Sequence, residues 1–129
     1  MVGAGWTPDE LERIGSADEL ELTALRADGR TARPVPVWVV RVGERLYVRS
    51  WRGANGAWFR TARASHAAHI RAGGVEKDVE LREVEQQVNA AVDAAYRGKY
   101  GRYPSYVEPL VSPPARSTTL ELVPHPGAA

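Results

Sequence analysis

A short basic segment near the middle of the chain carries the residue types best suited to hold an anion. Arg49, Ser50, Arg52 and Gly53 stand close together in the run RSWRG. Guanidinium groups make charge-assisted, often bidentate hydrogen bonds to phosphate or carboxylate, and a helix beginning near Ala57 would add unpaired backbone N–H groups. The pattern therefore predicts a phosphate clamp. The alternative that stays open is an ordinary polar loop, whose arginines stack on neighbouring tryptophan rings.

Four tyrosines near the carboxyl end form a second group with chemical potential. Tyr96, Tyr100, Tyr103 and Tyr106 are spaced four, three and three residues apart. A tyrosine hydroxyl can donate a proton or a hydrogen bond to a carbonyl or nitro group that is being reduced. We expect Tyr100 and Tyr103 to act in this way, while Tyr96 falls on an apolar stripe and should pack in the core. The alternative is that the set only packs the C-terminal segment.

Charge is unevenly distributed along the chain, although the net charge is only +1. Seven arginines and one acid, Glu44, lie between residues 41 and 71, whereas residues 76–93 hold six acids. Arginines interleaved with aromatic residues could bind single-stranded nucleic acid. Nucleic-acid binding is nevertheless the weakest of the functions considered, because the total charge is balanced and no known binding motif is present.

Composition excludes several kinds of site. The chain has no cysteine, which rules out disulfides, cysteine-ligated metals and thiol catalysis. His66 and His69 lie in a cationic neighbourhood without a third ligand, so no metal site is expected. No apolar run of about 18 residues and no signal-like amino end is visible, which predicts a cytoplasmic protein without a membrane span. A length of 129 residues suggests one domain over 1–129, with disordered tails at 1–5 and 124–129.

The stretch 33–53 must position the basic segment, and its pattern predicts a β-hairpin. Two strands rich in valine meet at Gly43-Glu44. This dipeptide fits a type II′ turn, since glycine readily takes the positive φ required at the first central position. Period-2 alternation then predicts the cross-strand pairs Val39–Val48, Val40–Tyr47, Trp38–Arg49 and Val37–Ser50. One face of this hairpin is aliphatic, and the other combines aromatic rings with an arginine.

The remaining periodicities surround this hairpin with helices and further strands. The predicted helices cover 8–14, 57–64 and 86–97, with a capping box at Thr7 and Glu10, a stop at Gly98 and one more helical turn near 105–110. The six predicted strands cover 18–26, 33–42, 45–49, 69–72, 75–84 and 117–123. Closing antiparallel strands into a barrel removes exposed edges. The predicted fold is therefore mainly β (α+β), a six-stranded antiparallel split β-barrel with a short inserted helix and flanking N- and C-terminal helices.

Three passages resemble one known family. The run VPVWVVRVGERLYVRSWRG is similar to a strand pair that ends in serine and a basic glycine loop. Asn55 to Phe59 corresponds to the position at which that family begins a short helix with two aromatic residues. The run AAYRGKYGRYPSY is similar to the family's tyrosine-bearing C-terminal segment. Over roughly residues 20–124 the chain resembles domain-of-unknown-function family 2255, which is similar to the FMN-binding split-barrel superfamily and nearest its deazaflavin-dependent nitroreductase branch.

This resemblance implies an oxidoreductase that binds FMN or a phosphorylated deazaflavin and transfers hydride to a small organic substrate. Phosphate-holding and ring-lining positions carry over to Trp38, Arg49, Ser50, Trp51, Arg52, Gly53, Asn55 and Trp58. Tyr47 and Tyr106 would contact the substrate. Split barrels of this type often pair, so a homodimer is expected, with the stripe 88–96 or the exposed hairpin face as its contact.

The loop also departs from the pattern of that branch. It is shorter, it carries Trp51 where a small or basic residue is commoner, and it lacks a proline before Trp58. These departures motivate an alternative in which the barrel binds or transforms a small organic molecule without any cofactor. A pocket of Trp38, Tyr47 and Tyr100 would then hold that molecule.

Overall fold

A computed structural model of the chain describes residues 5–124. Seven antiparallel strands form a single sheet: β1 (Leu20–Ala24), β2 (Val35–Val37), β3 (Val39–Val42), β4 (Arg45–Val48), β5 (Ala67–Ala72), β6 (Val75–Glu83) and β7 (Leu120–Pro124). The helices are α1 (Pro8–Gly15), α2 (Ala57–Ser65), α3 (Asn89–Tyr100), α4 (Pro104–Leu110) and α5 (Pro113–Arg116). Single 3-10 turns at Gly53–Asn55 and Gln86–Val88 precede α2 and α3. No helix in this described part is long and apolar enough to cross a membrane.

The sheet nearly closes on itself to form a barrel. Its strand order is β2-β1-β5-β6-β7-β4-β3, so the two strands at its ends are consecutive in the chain. Only Trp38 separates β2 from β3, and successive Cα atoms are about 3.8 Å apart. Val37 pairs with Leu20 while Val39 pairs with Val48. The opposite ends of the sheet therefore meet at Trp38, and the predicted split barrel is confirmed.

The break between β2 and β3 at Trp38 corrects the predicted number of strands and one part of the predicted register. The segment expected as one strand over 33–42 is two strands, which gives seven strands instead of six. The predicted pairs Val39–Val48 and Val40–Tyr47 are present. The predicted Val37–Ser50 pair is wrong, because Val37 has turned away to pair with β1. Trp38 likewise lies outside the ladder, so it does not pair with Arg49 across β4.

Local chemistry explains most of the element boundaries. Thr7 and Glu10 form the predicted capping box at the start of α1, which satisfies two backbone N–H groups that the helix leaves unpaired. Gly43 has a φ of +63° at the β3–β4 turn while Glu44 is not among the positive-φ residues, as a type II′ turn requires. The short helix α2 and the β5–β6 hairpin also form as the sequence predicts.

The C-terminal third differs from the sequence prediction in three places. The third helix continues through Gly98 to Tyr100, and Gly101 caps it. The predicted stop at Gly98 is wrong because this glycine keeps a helical backbone and has no positive φ. Pro113–Arg116 forms an additional short helix. Pro124 closes β7 by pairing with Val79, and the rest of the tail predicted from residue 124 lies outside the described residues.

Two hydrophobic clusters hold the elements together. The inner cluster fills the barrel with inward side chains such as Leu22, Ile70 and Leu122, and Leu11 and Ile14 of α1 pack against it. Complete burial of one such side chain contributes about 1.5–3 kcal/mol. The outer cluster joins β3 and β4 to α3 and α4, and it contains Val40, Tyr47, Val92, Tyr96, Tyr100, Val107, Leu110 and Val111. Helices α3 and α4 therefore cover the aromatic face of the hairpin.

This covering also corrects the predicted dimer contacts. Val92 and Tyr96, in the stripe proposed as an interface, are fully buried against the barrel of the same chain. Tyr47, on the proposed hairpin face, is buried in the same cluster. These buried side chains cannot contact a second copy, so the homodimer remains a prediction without them as its contacts.

Candidate functional site

An aromatic pocket of about 430 Å³ opens beside the break between β2 and β3. Its volume lies within the range of about 300–1,000 Å³ that is common for small-molecule sites. Aromatic side chains dominate its wall. The lining residues are Glu19, Pro36, Val37, Trp38, Arg49, Trp51, Trp58, Tyr103, Tyr106 and Leu110.

Trp38 forms the rigid wall of the aromatic pocket. Tyr100 stacks on its ring with a centroid separation of 3.9 Å and an interplanar angle of 3°. The rings of Tyr103 and Tyr106 approach Trp38 at 5.8 Å and 6.2 Å in tilted and edge-on geometries. Stacked and edge-on aromatic pairs each contribute about 0.5–1.5 kcal/mol beyond the area they bury. Trp38 is therefore held in place before any ligand arrives.

The hydroxyl of Tyr100 is engaged by the protein. It donates to the backbone oxygen of Asp18 at 3.0 Å, with the oxygen of Val39 at 3.4 Å. Burial raises the pKa of this phenol, which further disfavours its ionisation. Tyr100 does not line the aromatic pocket, so the structure places it behind Trp38, as the support of the wall.

Tyr103 and Tyr106 stand at the mouth of the aromatic pocket and are exposed by 42% and 57%. Pro104 begins α4 directly after Tyr103, and a spacing of three residues puts both rings on one side of that helix. The guanidinium of Arg102 lies 5.1 Å from the centre of the Tyr103 ring. Trp51, the third large exposed apolar residue, donates from Nε1 to the backbone oxygen of Tyr106 at 3.3 Å. The exposed aromatic residues of the described chain thus gather at one opening.

Arg49 lies at the inner wall of the aromatic pocket, with its side chain fully buried. Its five N–H donors have protein acceptors. Nε donates to Thr119, Nη1 donates to Asp93 at 2.5 Å and to the backbone oxygen of Leu110, and Nη2 donates to both oxygens of Asn89. A guanidinium offers five donors in total. Arg49 therefore fastens α3, α4 and the segment that leads into β7 to the end of β4.

Asp93 carries the negative charge of this buried network. Burial alone would raise the pKa of its carboxyl, but hydrogen bonds from Arg116 and Arg49 outweigh burial and hold the pKa below its usual value. Arg116 donates from both Nε and Nη2 to one oxygen of Asp93. The carboxylate in turn raises the pKa of Arg116. Asp93 thus bridges two guanidinium groups, only one of which lies at the aromatic pocket.

Ser50 and Gly56 form an unusual contact at the start of α2. The Oγ of Ser50 is buried and has no hydrogen-bond partner, although its backbone N–H donates to Thr118. A Cβ placed on Gly56 would lie 2.4 Å from this oxygen. Gly56 is the N-cap residue of α2, and no side chain caps the first turn of the helix. An orphaned hydroxyl therefore lies beside the uncapped, electropositive end of a helix that carries Trp58 into the pocket.

The structure separates the residues proposed from sequence into two sets. Six of them converge on the aromatic pocket: Trp38, Arg49, Trp51, Trp58, Tyr103 and Tyr106. Ser50 and Gly53 are buried, and Arg52 and Asn55 are exposed, along the loop that leads to α2. Tyr47 and Tyr100 belong to neither group. Their side chains lie in the outer cluster.

Sequence reasoning missed several residues of the pocket wall. Glu19, Pro36, Val37 and Leu110 line the pocket, but they stand in strand and helix patterns without any chemical signature. It also missed Asp93, which falls on the polar side of a helical stripe. A buried position for that carboxylate could be suspected only from its pairing with Arg49, which depends on tertiary structure.

Comparison with solved structures supports the fold. Superposition on an F420-H2 dependent reductase (FDR-A) gives a TM-score of 0.63 at 16% identity, covering 81% of this chain and 93% of that one. HutZ, the haem storage protein from Vibrio cholerae, gives 0.61 at 16% identity, covering 93% and 90%. A pyridoxamine 5'-phosphate oxidase-related, FMN-binding protein from Nostoc punctiforme gives 0.53 at 19% identity, covering 96% and 83%. At such identities the likeness establishes the split-barrel fold alone.

Sequence comparison gives the family. None of the curated proteins compared matches the chain. A family model described as an uncharacterized protein conserved in bacteria (DUF2255) matches residues 10–122, nearly the whole of the described chain. The protein is therefore a member of the DUF2255 family, built on the split barrel that F420-dependent reductases and FMN-binding proteins share.

Proposed function

We propose that the aromatic pocket binds the flat ring of a phosphorylated flavin or deazaflavin and that the protein is an oxidoreductase of small organic substrates. The observation that carries this proposal is the combination of two features: a Trp38 wall held by stacking on Tyr100, and the uncapped start of α2 with the orphaned Ser50 hydroxyl. The first suits a planar ring, and the second suits the phosphate attached to it.

The ring fits the pocket by shape and chemistry. Trp38 offers an indole face already stacked on Tyr100 from behind, and Trp51 and Trp58 contribute further apolar wall. Aromatic walls bind planar rings through offset or edge-on contacts without much loss of side-chain freedom. The few polar groups of the wall then fix the orientation of the ring, as is usual in cofactor sites.

The phosphate fits the start of α2. Backbone N–H groups in the first turn of a helix lack intrahelical partners and favour an anion. The Ser50 hydroxyl lies against Gly56 without a partner, and Arg52 is exposed on the adjoining loop. The missing Cβ of Gly56 leaves room for the Ser50 hydroxyl, which a Cβ there would meet at 2.4 Å. The proposal assigns phosphate binding to Ser50, Arg52, Asn55 and the backbone N–H groups in the first turn of α2. Gly53 and Gly56 shape the loop, because their N–H groups donate to Ser50 and Gly53. Arg49 belongs to the pocket wall because its donors are committed.

The cofactor would supply a hydride, and the protein would supply the site in which an acceptor receives it. Tyr103 is the candidate proton donor, since its ring reaches the pocket mouth beside Trp38. The acceptor would gain two electrons with the hydride and one proton from Tyr103, which solvent replenishes. Tyr106 and Trp51 would cover the acceptor and limit the access of water.

The test is turnover with a defined cofactor. Reduced F420 or reduced FMN is mixed anaerobically with protein and with nitroaromatic or enone acceptors, and cofactor absorbance is followed. The proposal predicts acceptor-dependent oxidation. Tyr103→Phe should slow it about 100-fold, the lower range for general acid catalysis, while Tyr106→Phe, the matched control, should change the rate far less. Absence of turnover with both cofactors would count against the redox function.

A second function, cofactor-free binding of a small organic molecule, is supported by the state of Arg49. Its five donors are all accepted by the protein, so the residue offers no free hydrogen bond to a phosphate. A largely apolar pocket whose arginine is fully hydrogen-bonded to the protein could hold an uncharged aromatic compound directly. Binding of such compounds by a protein that binds neither FMN nor F420 would favour this function.

A further inference from the structure

A second cavity, the polar pocket, lies on the other side of α2 and shares no residue with the aromatic pocket. Its volume is about 510 Å³. Trp58 faces the aromatic pocket, whereas Phe59 and Arg63 of the same helix face the polar one. Seven of its lining residues are polar or charged: Arg63, Glu83, Gln86, Asn89, Arg116, Ser117 and Thr119.

The buried network behind this pocket carries an uncompensated positive charge. Arg49 and Arg116 share the single carboxylate of Asp93, whose side chain is only 3% exposed. Arg49 is fully buried, whereas 43% of the Arg116 side chain is exposed. The excess charge of the three groups therefore emerges in the polar pocket through Arg116. An anion placed there would complete the charge balance of the network.

The hydrogen-bond donors of Arg116 also favour an anion in the polar pocket. Its Nε and Nη2 donate to Asp93, and among residues 5–124 its Nη1 has no hydrogen-bond partner. Arg63 forms no ion pair within that range. Guanidinium groups with free donors are the preferred protein ligands for carboxylate and phosphate. Arg63 and Arg116 are two such groups, and both line the polar pocket.

The rest of the wall selects the body of the ligand. Phe59, Val84 and Leu120 are apolar and line the same cavity as the arginines. A bare inorganic anion would leave this apolar surface in contact with water, whereas an organic acid would bury it, which is favourable. Glu83 at the pocket limits the number of negative charges that the ligand can carry.

We propose that the polar pocket is a second ligand site, which binds a small organic monocarboxylate between Arg63 and Arg116 with its apolar body against Phe59 and Leu120. Within the described chain, no residue lines both pockets. The two sites are nevertheless neighbours, because Asn89 at the polar pocket accepts hydrogen bonds from Arg49 at the aromatic pocket.

The proposal is tested with benzoate as the probe and with inorganic phosphate as the comparison, by NMR titration of the whole chain. Benzoate should shift the amide resonances of Asn89, Ser117 and Thr119 and should bind more tightly than phosphate. Arg63→Gln should weaken benzoate at least about tenfold, which corresponds to one charge-assisted hydrogen bond. Glu83→Gln should tighten it about twofold or more, because a nearby like charge is removed.

Arg60→Gln is the matched control, because Arg60 is exposed on the same helix and does not line the polar pocket. It changes the net charge as Arg63→Gln does and should leave the affinity for benzoate unchanged. Equal weakening by both variants, or tighter binding of phosphate than of benzoate, would overturn the proposal. Absence of any benzoate-dependent shift in the folded wild-type protein would do so as well.

Tryptophan fluorescence separates this result from failure at the cofactor site. Trp38, Trp51 and Trp58 line the aromatic pocket, and no tryptophan lines the polar pocket. Benzoate should therefore shift the NMR signals with little change in tryptophan emission. A flavin phosphate should quench that emission in wild type and in Arg63→Gln alike.

Discussion

At the scale of the residue, Arg49 lies in a sequence pattern that predicts phosphate binding, but its side chain is hydrogen-bonded within the protein. Its position in a basic glycine-containing segment favours anion binding, yet its five donors are accepted by residues of α3 and α4 and by Thr119, directly before β7. Within residues 5–124 it pairs with one carboxylate, that of Asp93, which lies 44 residues later in the chain. Only the closed barrel brings these two side chains together.

Asp93→Asn should therefore unfold the protein at markedly lower denaturant. The substitution leaves the Arg49 charge buried without its counter-ion, which typically costs about 3–5 kcal/mol. Urea denaturation followed by circular dichroism measures the loss. Asp9→Asn removes an exposed ion pair to Arg13 and should cost about 0–1 kcal/mol. Similar losses for both variants would mean that the Arg49–Asp93 pair is not a structural centre.

His69, on the β5–β6 hairpin, makes a pH-dependent contribution to the stability of the fold. Hydrogen bonds from its ring to Asp78 and Glu76, at 2.8 and 2.7 Å, raise its pKa above the ordinary value of 6.5. The folded state therefore binds the proton more tightly than the unfolded state. The stabilisation is fully present below about pH 6.5 and is lost as the pH rises through the folded-state pKa.

The variant His69→Gln should abolish that pH dependence. Wild type should lose about 1 kcal/mol or less of unfolding free energy relative to the variant as the pH rises from 5.5 to 9, because exposed ion pairs contribute little. Parallel urea titrations across that pH range measure the difference. A difference between the two proteins that grows with pH would contradict the assigned direction.

At the scale of the element, α2 separates the two cavities and presents its N-terminus to the loop that bears Ser50. Its start depends on Gly56, which has no side chain to cap the helix and whose missing Cβ leaves room for the Ser50 hydroxyl. Its neighbour α3 shows the opposite use of glycine. Gly98 lies within that helix with open space where a Cβ would point.

These two glycines should respond oppositely to alanine. Gly56→Ala places a Cβ 2.4 Å from Ser50 Oγ and should destabilise the fold by about 1–3 kcal/mol. Adding Ser50→Ala should recover part of that loss. Gly98→Ala should stabilise the protein by up to about 1 kcal/mol, since alanine is the better helix former. Thermal unfolding of the four proteins, including wild type, measures both effects. Stabilisation by Gly56→Ala would show that the contact with Ser50 is absent.

The elements were predictable from sequence where local chemistry determines them. The capping box of α1, the Gly43-Glu44 turn and the alternation of β3 and β4 each depend on neighbours within a few residues. The break at Trp38 was not predictable, because valine-rich alternation continues across it and only pairing with β1 and β4 bends the chain there. The end of α3 was misplaced since a glycine without strain can continue a helix.

At the scale of the whole molecule, closure of the barrel creates the site. The two ends of the sheet meet at Trp38, which turns that residue out of the ladder and leaves its ring free to stack on Tyr100. The resemblance of the sequence to its family pointed to the aromatic residues that line the aromatic pocket. It did not indicate that Tyr47 would be covered by α3 and α4, because that depends on how the helices return to the barrel.

The central claim, that the aromatic pocket receives the ring of a flavin or deazaflavin, is tested most directly by titrating the protein with FMN and with F420 while tryptophan emission is recorded. Three of the four tryptophans line this pocket, so a bound ring should quench emission strongly and saturably. Trp38→Ala should weaken binding at least about tenfold, through loss of one stacking wall. Arg63→Gln, outside the pocket, should leave it unchanged. Absence of saturable quenching by either cofactor in folded wild-type protein would contradict the account.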